Sequence, residues 1–582
     1  MNQYQDLHVL VLGLGESGLA MAHWCARLGA RVQVWDSREN PPQAEALRES
    51  VPQAVLLSGP LTVEHLAGVQ LLLKSPGLAP GDARIATVLE AARAAGIELA
   101  GEIDLFARAL ADLKAERGYV PKVLAITGTN GKTTTTAMCA LLVARCGLRV
   151  AAAGNIGPTM LVTLADALDR EPVAVQSPAH PDLINTQAAP LEAAEAAPIS
   201  GDARSNRSSM VADAAADPSP DDEAPLQLAA PPPAAPVFSV LPEVWVLELS
   251  SFQLDGVTGF EPDAATVLNI TQDHLDWHGT MDAYVAAKAR IFGAQTALVI
   301  NRDDPLTEAL VPAPVLVKGG RGRPARLNGP KVVRFGLDAP QHPGDFGLVL
   351  ENGMAWLVRA REVDETVKLR KGEADEIFLQ RLMPVDALRV RGRHNAANAL
   401  AALALASAIG CPLNALLHGL REYAGEPHRV EFIARVGEVD AYDDSKGTNV
   451  GATVAALLGL GADQAPAKLV VILGGDGKGQ DFAPLASPVA RFARAVALIG
   501  RDAGVINAVL AADPGAASVL RQHHHSLESA VAWCFEQARA GDAVLLSPAC
   551  ASLDMFRNYG HRAEVFVAAV QAHAAELGEA VL

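Results

Sequence analysis

The run VLAITGTNGKTTTTAMCALLVARC, from Val123 to Cys146, limits what this chain can fold into more than any other stretch. An apolar strand, a glycine-bounded polar loop, a lysine–threonine pair and a helical pattern follow one another in that order. Such a loop aims consecutive backbone N–H groups at an anion, and the helix start adds favourable potential. Lys132 would then neutralise β- and γ-phosphate charge, and Thr133 would offer a hydroxyl to Mg²⁺. The full G-x-x-x-x-G-K-[ST] pattern is not met, because Ile126 stands where its first glycine belongs. Strand, loop, Gly-Lys-Thr and helix are nonetheless all in place. Gly128, Thr129, Asn130, Gly131, Lys132, Thr133 and Thr134 are therefore expected to hold ATP.

A second glycine turn lies near the N-terminus. VLVLGLGESGLA carries Gly13, Gly15 and Gly18 in the G-x-G-x-x-G spacing, and the next strand, RVQVWD, ends in Asp36. Alone, this reads as a nicotinamide-dependent dehydrogenase, with Asp36 on a ribose. The phosphate loop at Gly128 argues against that reading, since a dehydrogenase has no use for phosphoryl transfer.

The 582 residues suffice for three or four domains with their own cores. Half are apolar and a fifth charged, ordinary for a globular enzyme. A net charge of −18 argues against a nucleic-acid partner, which needs a basic face. No apolar run approaches a membrane span, and no lysine or arginine precedes Arg27 to make the charged start of a signal peptide. Six cysteines without a C-x-x-C pair suit a reducing cytoplasm.

Residues 171–237 break the pattern, with twelve of the 37 prolines, ten acids against Arg204 and Arg207, no lysine and no aromatic. Such a stretch buries too little apolar surface to offset its ordering entropy, so a disordered insertion is expected. An unnamed partner for it is compatible with its composition. Elsewhere short strands alternate with helical stretches to the C-terminus, the mark of doubly wound α/β domains. Polar joints near ADLKAERGYVPK and REYAGEPHRVEFIARV divide the chain into 1–120, 121–425 and 426–582. The fold expected is three Rossmann-like α/β domains in series, the central one built on the phosphate loop and carrying the insertion.

Further polar residues fall where strands end. Glu248 closes the strand in LELSSFQ, where an acid can reach a metal held by Thr133. NITQDHLDWH and the following helix offer Asp273, His274 and Lys288. His274 falls on the nucleotide edge, whereas a lysine on an amphipathic helix is normally a solvent-facing charge. In the last domain DDSKGTN, GGDGKG and SPACASLD each follow a strand. Loops after parallel strands share one crevice, so Lys446, Lys478, Thr448 and Ser552 together suit a small carboxylate.

GTNGKTTTT, GNIG, ELSSFQL, NITQDHLDWH, AAKARI, GRHNAANALAALALA, EPHRVE, DDSKGTNVGAT, LGGDGKG and LLSPACASLDMF together resemble the Mur ligases of bacterial peptidoglycan synthesis. The resemblance covers nearly the whole chain outside 171–237, and ELSSFQL and SPACASLDMF discriminate among members. It implies an ATP-dependent amide ligase that adds D-glutamate to UDP-N-acetylmuramoyl-L-alanine through an acyl phosphate. The first domain would then bind UDP rather than NAD. Two Mg²⁺ ions are implied, held by Thr133 and Glu248 and by His274 and a carbamylated Lys288, with Lys132 completing the catalytic set. The UDP-substrate site would comprise Gly15, Glu16, Ser17, Asp36, Ser37, Arg38, Ser75, Pro76 and Gly77, with Asn155, Ser250 and Gln253 near the muramoyl group. Asn398, Arg429 and Asp444 match ATP-contacting positions. Thr448, Lys478, Ser552, Leu553 and Tyr559 match the glutamate pocket, Tyr559 standing where the family often has phenylalanine. A cytoplasmic monomer is implied, without membrane or nucleic acid. The alternatives are a sister ligase adding another amino acid or L-glutamate, a nicotinamide dehydrogenase, and a non-catalytic nucleotide-binding regulator.

Overall fold

Strand His8–Leu12, buried from Val9 onward, pairs in parallel with Arg31–Trp35 on one side and Leu71–Lys74 on the other. The computed structural model describes residues 4–172, 237–317, 326–363, 376–390 and 392–578. Val55–Leu57 and Glu98–Ala100 complete a five-stranded parallel sheet. Strand order reverses beside His8–Leu12, which opens a crevice at its carboxyl edge where the first glycine turn falls. A Cβ on Gly18 would lie 1.9 Å from the Gly13 carbonyl oxygen, so helix Glu16–Arg27 can approach the turn only with glycine there.

The central sheet has nine strands. Their order is Ile377–Pro384, Met354–Glu362, Phe346–Glu351, Val332–Phe335, Ala297–Asn301, Ala264–Val267, Lys122–Thr127, Val244–Glu248 and Val150–Gly154. The pairs from Phe346–Glu351 to Val150–Gly154 are parallel. Helix Lys132–Arg145 and helix Arg393–Ala408, buried continuously from Asn398 to Ala406, pack together over one face.

The expected alternation of strand and helix does not continue through this domain. Phe346–Glu351, Met354–Glu362 and Ile377–Pro384 form an antiparallel meander with no helix described between them. Asn352 and Gly353, both at positive φ (51° and 78°), make the two-residue turn that pairs Glu351 with Met354. Asn-Gly is the strongest local hairpin signal, and it stands in the sequence at that place.

The last sheet runs Glu431–Val436, Val439–Asp443, Ala543–Leu546, Leu469–Gly474, Ala493–Ile499 and Leu520–His523. Its first two strands form a hairpin and the remaining pairs are parallel. EFIARV, read as part of a joint, is thus an edge strand.

Apart from Glu171, Pro172 and Val237, the segment expected to be a disordered insertion lies outside the described residues. Its junction is described. The Glu171 carboxylate accepts hydrogen bonds from the backbone N–H groups of Ser239 (2.7 Å), Val240 (2.7 Å) and Leu241 (2.6 Å).

Candidate active site

The phosphate loop follows strand Lys122–Thr127, which lies between Ala264–Val267 and Val244–Glu248. Asn269, just beyond one neighbour, clamps the loop. Its side-chain oxygen accepts from Asn130 N at 2.8 Å, and its Nδ2 donates to Asn130 O at 3.0 Å. Gly131 has φ +82°, and a Cβ there would meet Asn398 Oδ1 at 2.5 Å. Lys132 Nζ donates to the carbonyls of Gly128 (3.0 Å) and Thr129 (2.9 Å). Burial pulls this ammonium below its ordinary value, and Glu248 opposes the shift.

Glu248 ends the adjacent strand and is buried. One carboxylate oxygen accepts from Asn155 Nδ2 at 3.1 Å, while the other, also buried, has no hydrogen-bond partner. His274 caps the short helix Leu275–His278 at φ +55°, edge-on to Phe252 at 4.5 Å between ring centres. Burial brings its imidazole down to about 4, Asp273 opposing and Lys478, Lys132 and Lys288 adding. The ring is therefore neutral at neutral pH, with a lone pair to offer.

Lys288 is not the solvent-facing charge that its helix pattern suggests. It is 1% exposed, with Nζ 2.9 Å from the Gly128 carbonyl and 4.6 Å from the centre of the Tyr284 ring. Burial holds this amine well below the ordinary lysine value, and the Lys132 charge pushes the same way. Lys132, Glu248, His274 and Lys288 thus come together around one loop.

Beside them, a cavity of about 320 Å³ opens between the central and last domains. Asn398, Arg429 and Asp444 line it, as do Asn130, Gly131 and Thr134. The last domain closes on the loop directly. Arg429 Nη2 donates to Thr133 Oγ1 at 2.9 Å, and Asn449 Nδ2 donates to Asn130 Oδ1 (3.0 Å) and Asp273 Oδ2 (3.3 Å).

The three loops of the last domain converge as their strand ends require. Asp476 and Ala551 exchange backbone hydrogen bonds at 3.0 and 2.9 Å, joining GGDGKG to SPACASLD. Buried Arg562 donates to the carbonyls of Cys550 (3.1 Å) and Ser445 (2.7 Å), which ties in DDSKGTN. Ser552 is buried in this crevice, Leu553 and Tyr559 are exposed, and Lys446 Nζ lies 5.6 Å from the Tyr559 ring centre. Lys478 stands at φ +52° near enough to act on His274, and Thr448 N bonds the Lys446 carbonyl at 3.0 Å.

In the first domain Gly15, Glu16, Ser17, Asp36, Ser37, Arg38, Ser75, Pro76 and Gly77 line a common cavity. Asp36 is turned to its own loop: Oδ2 accepts from Leu14 N (2.7 Å) and Arg38 Nη2 (2.8 Å), and Oδ1 from Arg38 N and Nε (2.8 and 2.9 Å). Ser250 and Gln253 cap each other, with Ser250 Oγ 3.0 Å from Gln253 Oε1.

Comparison with known proteins gives this geometry its context. Residues 7–101 match the MurD-like N-terminal domain of Mur ligases, 239–318 the Mur ligase middle domain, and 428–550 the Mur ligase glutamate ligase domain. The UDP-N-acetylmuramoylalanine–D-glutamate ligase of Albidiferax ferrireducens is 54% identical, over 100% of this chain and 99% of that protein. The chain belongs to the Mur ligases. Ligases bearing the same name from Polaromonas sp. strain JS666 and Ralstonia nicotianae are 46% and 49% identical, over 99% and 98% of this chain and 100% and 98% of theirs. The protein is an ATP-dependent, ADP-forming Mur ligase.

Mur ligases use Mg²⁺ with ATP, and the Thr133 hydroxyl and Glu248 carboxylate are oxygen donors of the kind a hard divalent cation takes. The unpartnered, buried oxygen of Glu248 is an orphan that a cation would satisfy. Among the described residues, the one preassembled trio of histidine and carboxylate ligand atoms is His428, Glu431 and Asp443. That trio is already spent on hydrogen bonds: His428 N donates to Glu431 (2.8 Å), His428 Nδ1 lies 2.7 Å from Asp443 Oδ2, and Asp443 Oδ1 accepts from Ser445 N (2.9 Å).

Much of the lining of the 320 Å³ cavity goes beyond the residues expected from the sequence. Asn269, Thr271, Asn301, Asp303, Phe335, Leu337, His394 and Asn395 also line it. Asn301 and Phe335 are the last residues of adjacent parallel strands, so the strand-end rule applied to Lys122–Thr127 would have found them.

Proposed function

We propose that this Mur ligase joins D-glutamate to UDP-N-acetylmuramoyl-L-alanine in the cytoplasm, as a monomer, for peptidoglycan precursor synthesis. The observation that carries the reading is the grouping of Lys132, Glu248, His274 and Lys288 at one loop, faced by the converging strand-end loops of the last domain. The first domain's cavity takes UDP, the 320 Å³ cavity takes ATP, and Thr448, Lys478, Ser552, Leu553 and Tyr559 take the amino acid.

The substrate carboxylate attacks the γ-phosphorus and ADP leaves, giving an acyl phosphate; the glutamate amine then displaces phosphate and forms the amide. Two anions must approach in the first step. Lys132 offsets that repulsion at the γ-phosphate, and Arg429 adds a second fixed cation beside Thr133. Thr133, Glu248, His274 and Lys288 are the residues that would hold Mg²⁺, which when bound supplies further charge neutralisation at the transferring phosphoryl. Asn155 orients Glu248 through the bond to its carboxylate.

Carbamylation of Lys288 fits its setting. The reaction needs a neutral amine, which adds to CO₂ and gives up a proton to leave an anionic carbamate. Burial favours that neutral amine here.

Phosphate release from ATP with UDP-N-acetylmuramoyl-L-alanine and a panel of D- and L-amino acids tests the reading. Turnover only with D-glutamate is expected. Preference for another amino acid would identify a sister activity, and NAD binding to the first domain would overturn the UDP assignment.

A further inference from the structure

A second cavity, of about 190 Å³, lies between the first and central domains, and Lys74, Pro76, Gly101, Phe252, Gln253 and Asp255 line it. It separates the two halves of the site. Ser75, Pro76 and Gly77 belong to the first domain's cavity, whereas Gln253 and Phe252 belong to the short helix Ser251–Leu254 that follows Glu248 and meets His274. A substrate whose nucleotide sits in one domain and whose carboxylate reacts in the other must span this boundary.

Asp104 and Glu102 join the two domains at one side of this cavity, accepting from Thr258 N (3.1 Å) and Leu161 N (3.2 Å), and Lys74 bridges it at the nucleotide turn. It ends strand Leu71–Lys74, directly before Ser75, and its ammonium donates to the Leu78 carbonyl at 3.0 Å, closing the Ser75–Leu78 turn on itself. The same nitrogen lies 5.2 Å from the centre of the Trp277 ring, on the central domain. Trp277 packs at 4.9 Å against Phe252, which in turn meets His274 at 4.5 Å. Burial draws the Lys74 ammonium down to about 8, Asp255 opposing and Arg93 adding, so it is still mostly charged at neutral pH. A partly desolvated cation over an indole face is among the stronger contacts of its kind.

Resting on the function proposed above, we infer that Lys74 is a positioning residue for the UDP-sugar substrate. By holding the Leu78 carbonyl and the Trp277 face at once, it sets the spacing between the nucleotide turn and the His274 loop. One substrate molecule can then engage both. Lys74 does not touch the reacting atoms; it acts through the Ser75–Leu78 turn and through Trp277.

The test compares Lys74→Met, which keeps the length of the stem and removes the charge, with Lys74→Arg and Trp277→Leu in the full chain. UDP alone contacts only the first domain, so its affinity, measured by calorimetry, should fall clearly less in Lys74→Met than that of UDP-N-acetylmuramoyl-L-alanine. KM for UDP-N-acetylmuramoyl-L-alanine should rise about tenfold with KM for ATP unchanged, the size expected for losing one such contact. Lys74→Arg should restore most of the loss. Trp277→Leu should match Lys74→Met, and the double variant should add little to either. Equal loss of UDP and substrate affinity, additive effects of the two changes, or an unchanged KM in Lys74→Met would each overturn the inference. If Lys74→Met fails to fold, Trp277→Leu and Lys74→Arg carry the same comparison. A wild-type enzyme that does not turn over this substrate would instead refute the proposed function.

Discussion

Arg429 of the last domain donates a 2.9 Å hydrogen bond to Thr133 at the start of the phosphate-loop helix, across 296 positions of sequence. The arginine is held there by an unusual backbone. Its neighbours His428 and Val430 both have positive φ, 63° and 50°, a conformation that costs a β-branched residue on the order of 1–3 kcal/mol. The cost is offset by fixing His428 on three sides: its N–H on Glu431, its ring on Asp443, and its carbonyl under Lys446 N. Arg429→Ala should lower kcat by about a hundredfold or more, because a fixed cation at the transferring phosphoryl is lost. KM for the UDP substrate should barely move. Single-turnover measurement at saturating ATP checks this, and wild-type kcat would mean that the contact serves closure alone.

Lys288→Ala should be nearly inactive, and millimolar acetate should restore part of the activity. With Lys288 carbamylated as proposed, the group lost in the alanine variant would be an anion carried by the buried nitrogen that lies 2.9 Å from Gly128 O. Rescue by short alkylamines rather than carboxylates would show that the lysine works as a cation.

Burial pushes the Asp444 carboxyl up to about 7, with Ser547's hydrogen bond and Arg429 pulling the other way. The ordinary value is about 3.9. The folded chain therefore holds this proton more tightly than the unfolded one, and stability from this group falls as pH rises from about 4 to about 7. Asp444→Asn removes that dependence. Thermal midpoints of the variant should differ less between pH 5 and pH 8 than those of the wild type; an equal difference would place the titration elsewhere.

Gly18→Ala should disrupt the first domain, since its methyl would sit 1.9 Å from the Gly13 carbonyl oxygen, a backbone atom that cannot rotate away. UDP affinity should fall by at least about tenfold. Gly81→Ala is the control, because a Cβ at Gly81 meets nothing within 4 Å and the residue lies outside the lining of the UDP cavity. Calorimetry with UDP on both variants reads the contrast.

How much of this was readable beforehand depended on how local each interaction is. The roles proposed for Gly128 to Thr134 and Gly13 to Gly18 rest on their own backbone, so they are written in consecutive residues. The convergence of the three last-domain loops also follows from strand ends alone. The Asn352-Gly353 hairpin was legible in principle, being a two-residue signal. Pairs such as Arg429 with Thr133 or Asn449 with Asp273 join distant segments, and no periodicity marks them; for Arg429 only family resemblance pointed there. Lys288 shows a different limit. On a helix pattern a buried amine and a solvated one look alike, and only the Gly128 carbonyl and the Tyr284 ring around it distinguish them.

The Glu171 carboxylate gathers three backbone N–H groups at the point where the chain returns to the central domain. Strand Val244–Glu248 begins only a few residues later and takes its place between Lys122–Thr127 and Val150–Gly154. The junction thus fixes the backbone a few residues ahead of the strand that ends in Glu248. Glu171 works as a clasp, one side chain standing in for the strand pairing that would otherwise have to locate the returning backbone.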